Sequence, residues 1–525
     1  MMIRRTRFLT AALAAACSTA LVLTACSSSG ADSQGELSTV GEPVPGGDAR
    51  VIQVNEPRTL DPAGLTNNWA NHAFMGNALY GTLMTNDVES FDIEYKLAED
   101  FTTTDGGSTF TLKLRPGLQF SDGTPLDAAA VKFNWDRLAD PALGSSSLAM
   151  AAQVNATEVA DSTTLTVRMD APNPHFAQTL MTNAMNWIAS PTALQRGQTA
   201  FDAAPIGAGP FILTAWSRQD RMEFAKNPTY WDSPKPYLDN IVLRTANDSS
   251  QRTNTVMTGG ADLTSEISWR NLAMARAAGF PVTTAPTGGG QYMAMNFRRA
   301  PFNDERARRA VALATDLDAL DLAVNDGKGQ VPETLFPETS PFHADIPLKK
   351  TDKEQAQKLF DELAAEGKPV SFTYTSFSTV ENKAGAEGLQ AQLSAFDNVD
   401  VKVDVVDFAA GLAIYGSHDY DMIATGAMIQ DPDAELWSNF HGSSQRNLTG
   451  INDPELNDAL YAGRIAESVD ERKEAYEIVQ KRIVALTPGL WYVRAATSVV
   501  TGKNVHGIEL YGIGSQLPEE LWITK

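Results

Sequence analysis

Residues 351–408, TDKEQAQKLFDELAAEGKPVSFTYTSFSTVENKAGAEGLQAQLSAFDNVDVKVDVVDF, carry the pattern that sets the fold class. Thr351-Asp352-Lys353-Glu354 reads as a capping box, in which hydroxyl and carboxylate satisfy two orphan amides reciprocally. Ala356, Leu359, Phe360 and Leu363 recur at helical spacing, and Gly367 with Pro369 stops the helix. Val370 to Tyr374 then reads as a strand, a helix is expected near 381–394, and Val399 to Phe408 reads as a second strand. Strand–helix–strand units of this length imply partly parallel sheets covered by helices, an α/β architecture.

Towards the N-terminus the signals are shorter. Arg50 to Asn55 reads as a strand, and the two prolines of Pro57-Arg58-Thr59-Leu60-Asp61-Pro62 mark a turn. Thr109 to Leu114 alternates apolar and polar, the period of a half-buried strand, and Asp122-Gly123 ends the next one as a turn. From Asp127, placed to cap, Val131, Asn134, Trp135 and Leu138 share a helix face, which puts Trp135 in the core.

The first 47 residues differ from the rest. Arg4, Arg5 and Arg7 precede an apolar run from Phe8 to Leu23, and Leu23-Thr24-Ala25-Cys26 closes the stretch. A charged start, apolar core and small-residue end predict a secretory signal over 1–25. The Arg4-Arg5 spacing to Phe8 favours general secretion over the twin-arginine route. The Cys after the small residue resembles a bacterial lipobox, which implies lipidation of Cys26 as the new N-terminus. Residues 27–47 are Ser, Gly, Pro and acids with few large apolar groups, and predict a flexible tether. The chain has two Cys, Cys17 and Cys26, so after the signal is removed no disulfide can form.

Beyond the signal no apolar run approaches the roughly 18 residues of a membrane helix, so the lipid is the only membrane attachment expected. The formal charge is −22, and it becomes −25 once the three signal arginines are removed. Such a balance argues against nucleic-acid partners and for a soluble monomer. At about 100–200 residues per domain, residues 26–525 predict about three domains.

Five motifs in order then resemble extracellular solute-binding family 5, the peptide- and nickel-type receptors of ABC importers. They are Thr59-Leu60-Asp61-Pro62; Leu97-Ala98-Glu99 with Thr111 to Pro125 (TLKLRPGLQFSDGTP); Gly207-Ala208-Gly209-Pro210-Phe211; Asn227-Pro228-Thr229-Tyr230-Trp231 through Ile241; and Asn296 to Thr315. Physically these are scaffold positions, with alternating apolar residues, turn glycines and core aromatics. The resemblance implies a two-lobed, periplasmic-binding-protein-like (type II) α/β clamp with an extra inserted domain. Carried over, lobe one spans 48–84, 205–290 and 491–525, the inserted domain 85–204, and lobe two 291–490. Gly288-Gly289-Gly290 suits a chain crossing between lobes. The expected partners are a small-molecule or peptide ligand and the ABC importer permease subunits.

In the resembling peptide receptors a Gly-Trp pair precedes an Asp that pairs with the ligand's amino terminus. The matching stretch here is Gly426-Ala427-Met428-Ile429-Gln430-Asp431-Pro432-Asp433. Ala427 stands for the Trp and Gln430 for the acid, with Asp431 one residue away as a substitute. Trp69 and Trp269 are expected to stack on ligand and Asn296 to lie at the hinge strand. The ligand-binding set is therefore Trp69, Trp269, Asn296, Met428, Gln430 and Asp431. The six His are scattered and lack Cys partners, so neither metal nor cofactor is expected. No nucleophile elbow appears, and adjacent Ser417-His418-Asp419 cannot form a relay. The expected activity is binding, of peptides first and of oligosaccharides, opine-like or amide compounds second. An exported wall hydrolase is the remaining alternative, and it lacks a visible nucleophile.

Overall fold

The helix opening the 351–408 stretch spans Lys353–Ala365 in the computed structural model, which describes residues 41–348 and 350–524. The signal, Cys26 and the tether up to residue 40 lie outside the described residues. The N-cap is Asp352, whose carboxylate accepts from Gln355 N at 3.0 Å, while Thr351 Oγ1 donates to Thr315 O at 3.1 Å. This one-residue shift moves Glu354 off the N3 position, so the expected capping box does not form. A complete box occurs instead at Ser468 and Glu471, where the Val469–Leu486 helix starts.

The strands Val370–Phe377 and Val399–Val406 pair in parallel and in register, joined by the Val380–Leu393 helix. The second strand stops at Val406 because Asp407 caps the next helix, accepting from Ala410 N at 2.8 Å. Both belong to a five-stranded sheet ordered Val399–Val406, Val370–Phe377, Met422–Ile429, Gly288–Met295 and Gly489–Val493. The first three are parallel to one another, and Gly288–Met295 runs antiparallel to both its neighbours. Alternate residues feed two cores. Met293, Met295, Phe372, Tyr374 and Met422 lie on one face, and Tyr292, Ala294, Ile423, Ala427 and Ile429 on the other. Flanked by cores on both faces, Met422–Ile429 is apolar along most of its length, with Thr425 the polar exception.

A seven-stranded sheet holds Asp48–Gln53 at its centre, parallel to Leu263–Glu266 on one side and Asn240–Thr245 on the other. Its remaining strands are Val282–Thr284, Ser498–Thr501, Arg221–Lys226 and Phe211–Ser217. A third, antiparallel sheet of four strands lies between residues 98 and 169, with Thr109–Leu114 inside it as its alternation requires. Trp135 packs beneath it with Nε1 donating to Met185 O at 2.8 Å. Asp61 of the opening turn clamps Arg137 through both carboxylate oxygens, at 3.1 and 2.6 Å. That motif is therefore a structural tie.

Candidate functional site

Two segments cross between the seven-stranded and five-stranded sheets. Residues 285–287 join Val282–Thr284 to Gly288–Met295, and residues 494–497 join Gly489–Val493 to Ser498–Thr501. They bond to each other, Ala285 N to Thr497 O at 3.0 Å and Thr497 Oγ1 to Ala285 O at 2.7 Å. At Gly290, φ is +133° and a Cβ would stand 2.2 Å from Val493 O, so only glycine fits. Arg494 is buried there. Its Nη1 reaches the carbonyls of Thr287, Gly289 and Leu335 at 3.4, 3.3 and 3.1 Å, and Nη2 donates to Thr334 O at 2.7 Å. Burial pulls its pKa down to about 10, still charged at neutral pH. One guanidinium thus ties both crossovers to the 334–335 loop.

In open α/β sheets a ligand lies outside the carboxyl ends of the parallel strands. At that edge of the seven-stranded sheet stand Gln53, the last residue of its strand, and Trp69, whose carbonyl accepts from Ser265 Oγ at 2.8 Å. Both side chains are buried, and Gln53 Oε1 and Trp69 Nε1 have no hydrogen-bond partner. His72, nearby in sequence, accepts at Nδ1 from Thr66 N at 3.1 Å. Burial pushes its pKa down to about 4, so it is neutral at pH 7. Glu266, last in the adjacent strand, takes donors from Ser249, Thr253, Asn271, Ile267 and Ser268. Trp269 follows it, half-buried, with Nε1 donating to Arg494 O at 2.8 Å, so it stands against the crossover.

On the five-stranded side, half-buried Met428 lies opposite Gly289, and Gln430 follows the end of its strand. Gln430 is buried and its Nε2 has no partner. Asp431 departs from expectation. Its carboxylate pairs with Arg472 at 3.0 Å through both oxygens and caps the Pro432–Phe440 helix by accepting from Asp433 N at 3.0 Å. Burial raises its pKa, but the Arg472 charge and hydrogen bonds outweigh this and hold it below the ordinary range. Committed to Arg472, it is not an open acid for a ligand amine. Asn296 is also spent. Nδ2 donates to His418 O and Tyr420 O at 3.1 and 2.8 Å, and Oδ1 accepts from Arg298 N at 3.1 Å. It directly follows the strand Gly288–Met295, at the end opposite the crossover, about 25 Å away at 3.3 Å per residue.

Sequence reading missed Gln53, Arg472 and Arg494. A polar residue closing an apolar strand was the only signal for Gln53, and the two arginines acquire meaning only through distant carbonyls and carboxylates. The rim is built similarly: Asp433 binds Arg464 Nε at 2.7 Å and Asn173 Nδ2, from beyond the four-stranded sheet, at 3.2 Å. Among the described residues no group of three or more His, Cys, Asp or Glu is placed to hold a metal ion.

The model of the bacterial extracellular solute-binding proteins, family 5 Middle, matches residues 92–447. The chain belongs to this family. Among its relatives, the glutathione-binding protein GsiB of Shigella boydii serotype 4 is 29% identical over 354 residues, 67% of this chain and 68% of that protein. GsiB of Escherichia coli K12 is 28% identical over the same span. The solved structures carry the same α/β, periplasmic-binding-protein-like fold. The periplasmic binding protein AgaA, from A. tumefaciens R10 in complex with agropinic acid, matches at TM-score 0.76 and 24% identity, over 91% of this chain and 99% of that one. Helicobacter pylori DppA with the peptide STSA matches at 0.77 and 24%, over 92% and 99%. Bacillus subtilis AppA with a nonapeptide matches at 0.76 and 20%, over 92% and 100%. The family 5 chain thus has the clamp fold and, among the described residues, no helix long and apolar enough to cross a membrane.

Proposed function

We propose that this protein is the substrate-binding component of an ABC importer, held by a lipidated Cys26 on the extracytoplasmic face of the cell membrane. It captures a small ligand as a monomer by closing two lobes and delivers it to the permease subunits; it is a receptor and performs no catalysis. The observation carrying this reading is the pair of crossovers tied through Arg494, because two sheets sharing so short a connection can rotate towards each other about it. Lobe one is then 48–84, 205–290 and 491–525, lobe two 291–490, and 85–204 the inserted domain. Trp69, Trp269, Met428 and Gln430 line the ligand side.

Peptides are the leading ligand class, supported by relatives named for glutathione, itself a small peptide, and by the peptides bound to DppA and AppA. A non-peptide ligand is the second reading, favoured by the pairing of Asp431 with Arg472. Incubating the purified protein with peptide and sugar libraries tests the proposal. Depletion of a compound without products is the expected result, and hydrolysis products would establish the wall-hydrolase alternative.

A further inference from the structure

Apart from Asp431 Oδ2, which faces Arg472 Nη1 at 3.0 Å as an ion pair without a formed hydrogen bond, and Arg252 Nη2, the hydrogen-bonding capacity left open at the strand ends is neutral. On the seven-stranded side it is Gln53 Oε1, Trp69 Nε1 and the Nε2 of uncharged His72; on the five-stranded side it is Gln430 Nε2 and Trp491 Nε1 beside the crossover. An unmade hydrogen bond on a buried group costs free energy that a ligand recovers by supplying the partner. The buried charged groups nearby have hydrogen-bond or ion-pair partners within the protein, Glu435 among them, which accepts from Asn439 Nδ2 at 3.2 Å and whose pKa burial raises towards the neutral form. Asp431 faces Arg472, Asp433 faces Arg464, and Glu266 holds five donors. Arg494 is ringed by carbonyls, and Arg252 gives Nε and Nη1 to carbonyls with its charge near Glu266, its Nη2 alone lacking a partner. The exposed acids at the same edges belong to helix starts. Asp248 and Asp407 are N-caps and Glu381 lies in a first turn.

We propose that the ligand is neutral where it meets Gln430 and Trp69, presenting amide or hydroxyl groups and no free ammonium. This rests on the receptor reading and narrows it. A buried ammonium needs an unpaired anion to offset its desolvation, and the acid beside Gln430 already has its arginine. Gln430 Nε2 and Trp69 Nε1 donate to carbonyl or hydroxyl oxygens, and Gln53 Oε1 accepts from an amide N–H or hydroxyl. N-acylated peptides and neutral oligosaccharides both offer these groups.

The test is titration calorimetry of the full mature protein with three probe sets: a tripeptide library with free amines, the same library N-acetylated, and a set of neutral trisaccharides. Binding of acetylated peptides or trisaccharides at least about tenfold tighter than free-amine peptides is expected, and which arm binds identifies the source. Trp69→Phe, which keeps the ring and loses the N–H, weakens the neutral ligand about three- to tenfold, the worth of one hydrogen bond. Gln430→Glu, nearly isosteric, weakens it similarly and strengthens the free-amine form; matched urea midpoints show that both variants are folded. Free-amine peptides binding wild type as tightly as the acetylated forms overturn the neutral site and leave the receptor reading intact. If no probe binds, a molecule released on denaturing protein purified from the cells that make it decides. A neutral one supports the inference and an ammonium overturns it, whereas release of nothing overturns the receptor reading and this inference together.

Discussion

Asp431 and Arg472 meet at 3.0 Å with side chains 11% and 6% exposed, so each is the other's solvent. Removing one charge of such a pair strands its partner, at a cost of about 3–5 kcal/mol. Asp431→Asn isolates that cost, because Asn still caps the helix as well as Asp. Urea unfolding at pH 7 is expected to show a loss of this size. The pH dependence has a definite sign. The folded pKa of Asp431 lies below its ordinary value, so its contribution is complete above the unfolded carboxylate range and is lost as pH falls through the folded value. The wild type therefore loses stability on strong acidification along a limb that Asp431→Asn lacks, readable as a shrinking difference between the two below pH 4. At this scale the sequence was partly legible: the expectation that Gln430 stands where the resembling receptors place an acid rests on adjacent residues alone. That Asp431 is occupied does not, because Arg472 lies 41 positions away and is brought near by a helix packing whose register short patterns do not encode.

At the scale of elements, periodicity located the strand–helix–strand unit and the Thr109–Leu114 strand because each buries a regular face. Boundaries moved where a polar side chain took a cap. Asp352 displaced Thr351, and Asp407 shortened the strand before it. The run of three glycines expected at the crossover instead opens the strand Gly288–Met295, and the connection itself is residues 285–287 just before it. Gly290 carries the sharpest constraint. Gly290→Ala places a methyl on the Val493 carbonyl at a φ that L-residues rarely adopt, and such strain costs about 1–3 kcal/mol before any clash is counted. A loss of at least about 2 kcal/mol is expected in urea, with faster hydrogen exchange confined to amides of both crossovers. Uniformly faster exchange across the four-stranded sheet would contradict this.

For the whole molecule, closure predicts that saturating ligand lowers the radius of gyration by small-angle scattering and raises the melting temperature. Ligand at 100 times its dissociation constant adds about 2.7 kcal/mol if it binds only the folded state. Tight binding without compaction would refute the hinge. Cys26→Ser is expected to move the protein from the membrane pellet to the soluble fraction with an unchanged unfolding midpoint; persistence in the pellet would refute the anchor. The carbonyl cage of Arg494 has a wider consequence. Its four acceptors are main-chain oxygens of Thr287, Gly289, Thr334 and Leu335, which every amino acid supplies. The tie at the crossovers is thus indifferent to which side chains hang beside it, save where glycine is sterically required. Under the proposed hinge closure, side chains of the proposed binding surface can be exchanged for a new cargo while the axis of motion stays as it was.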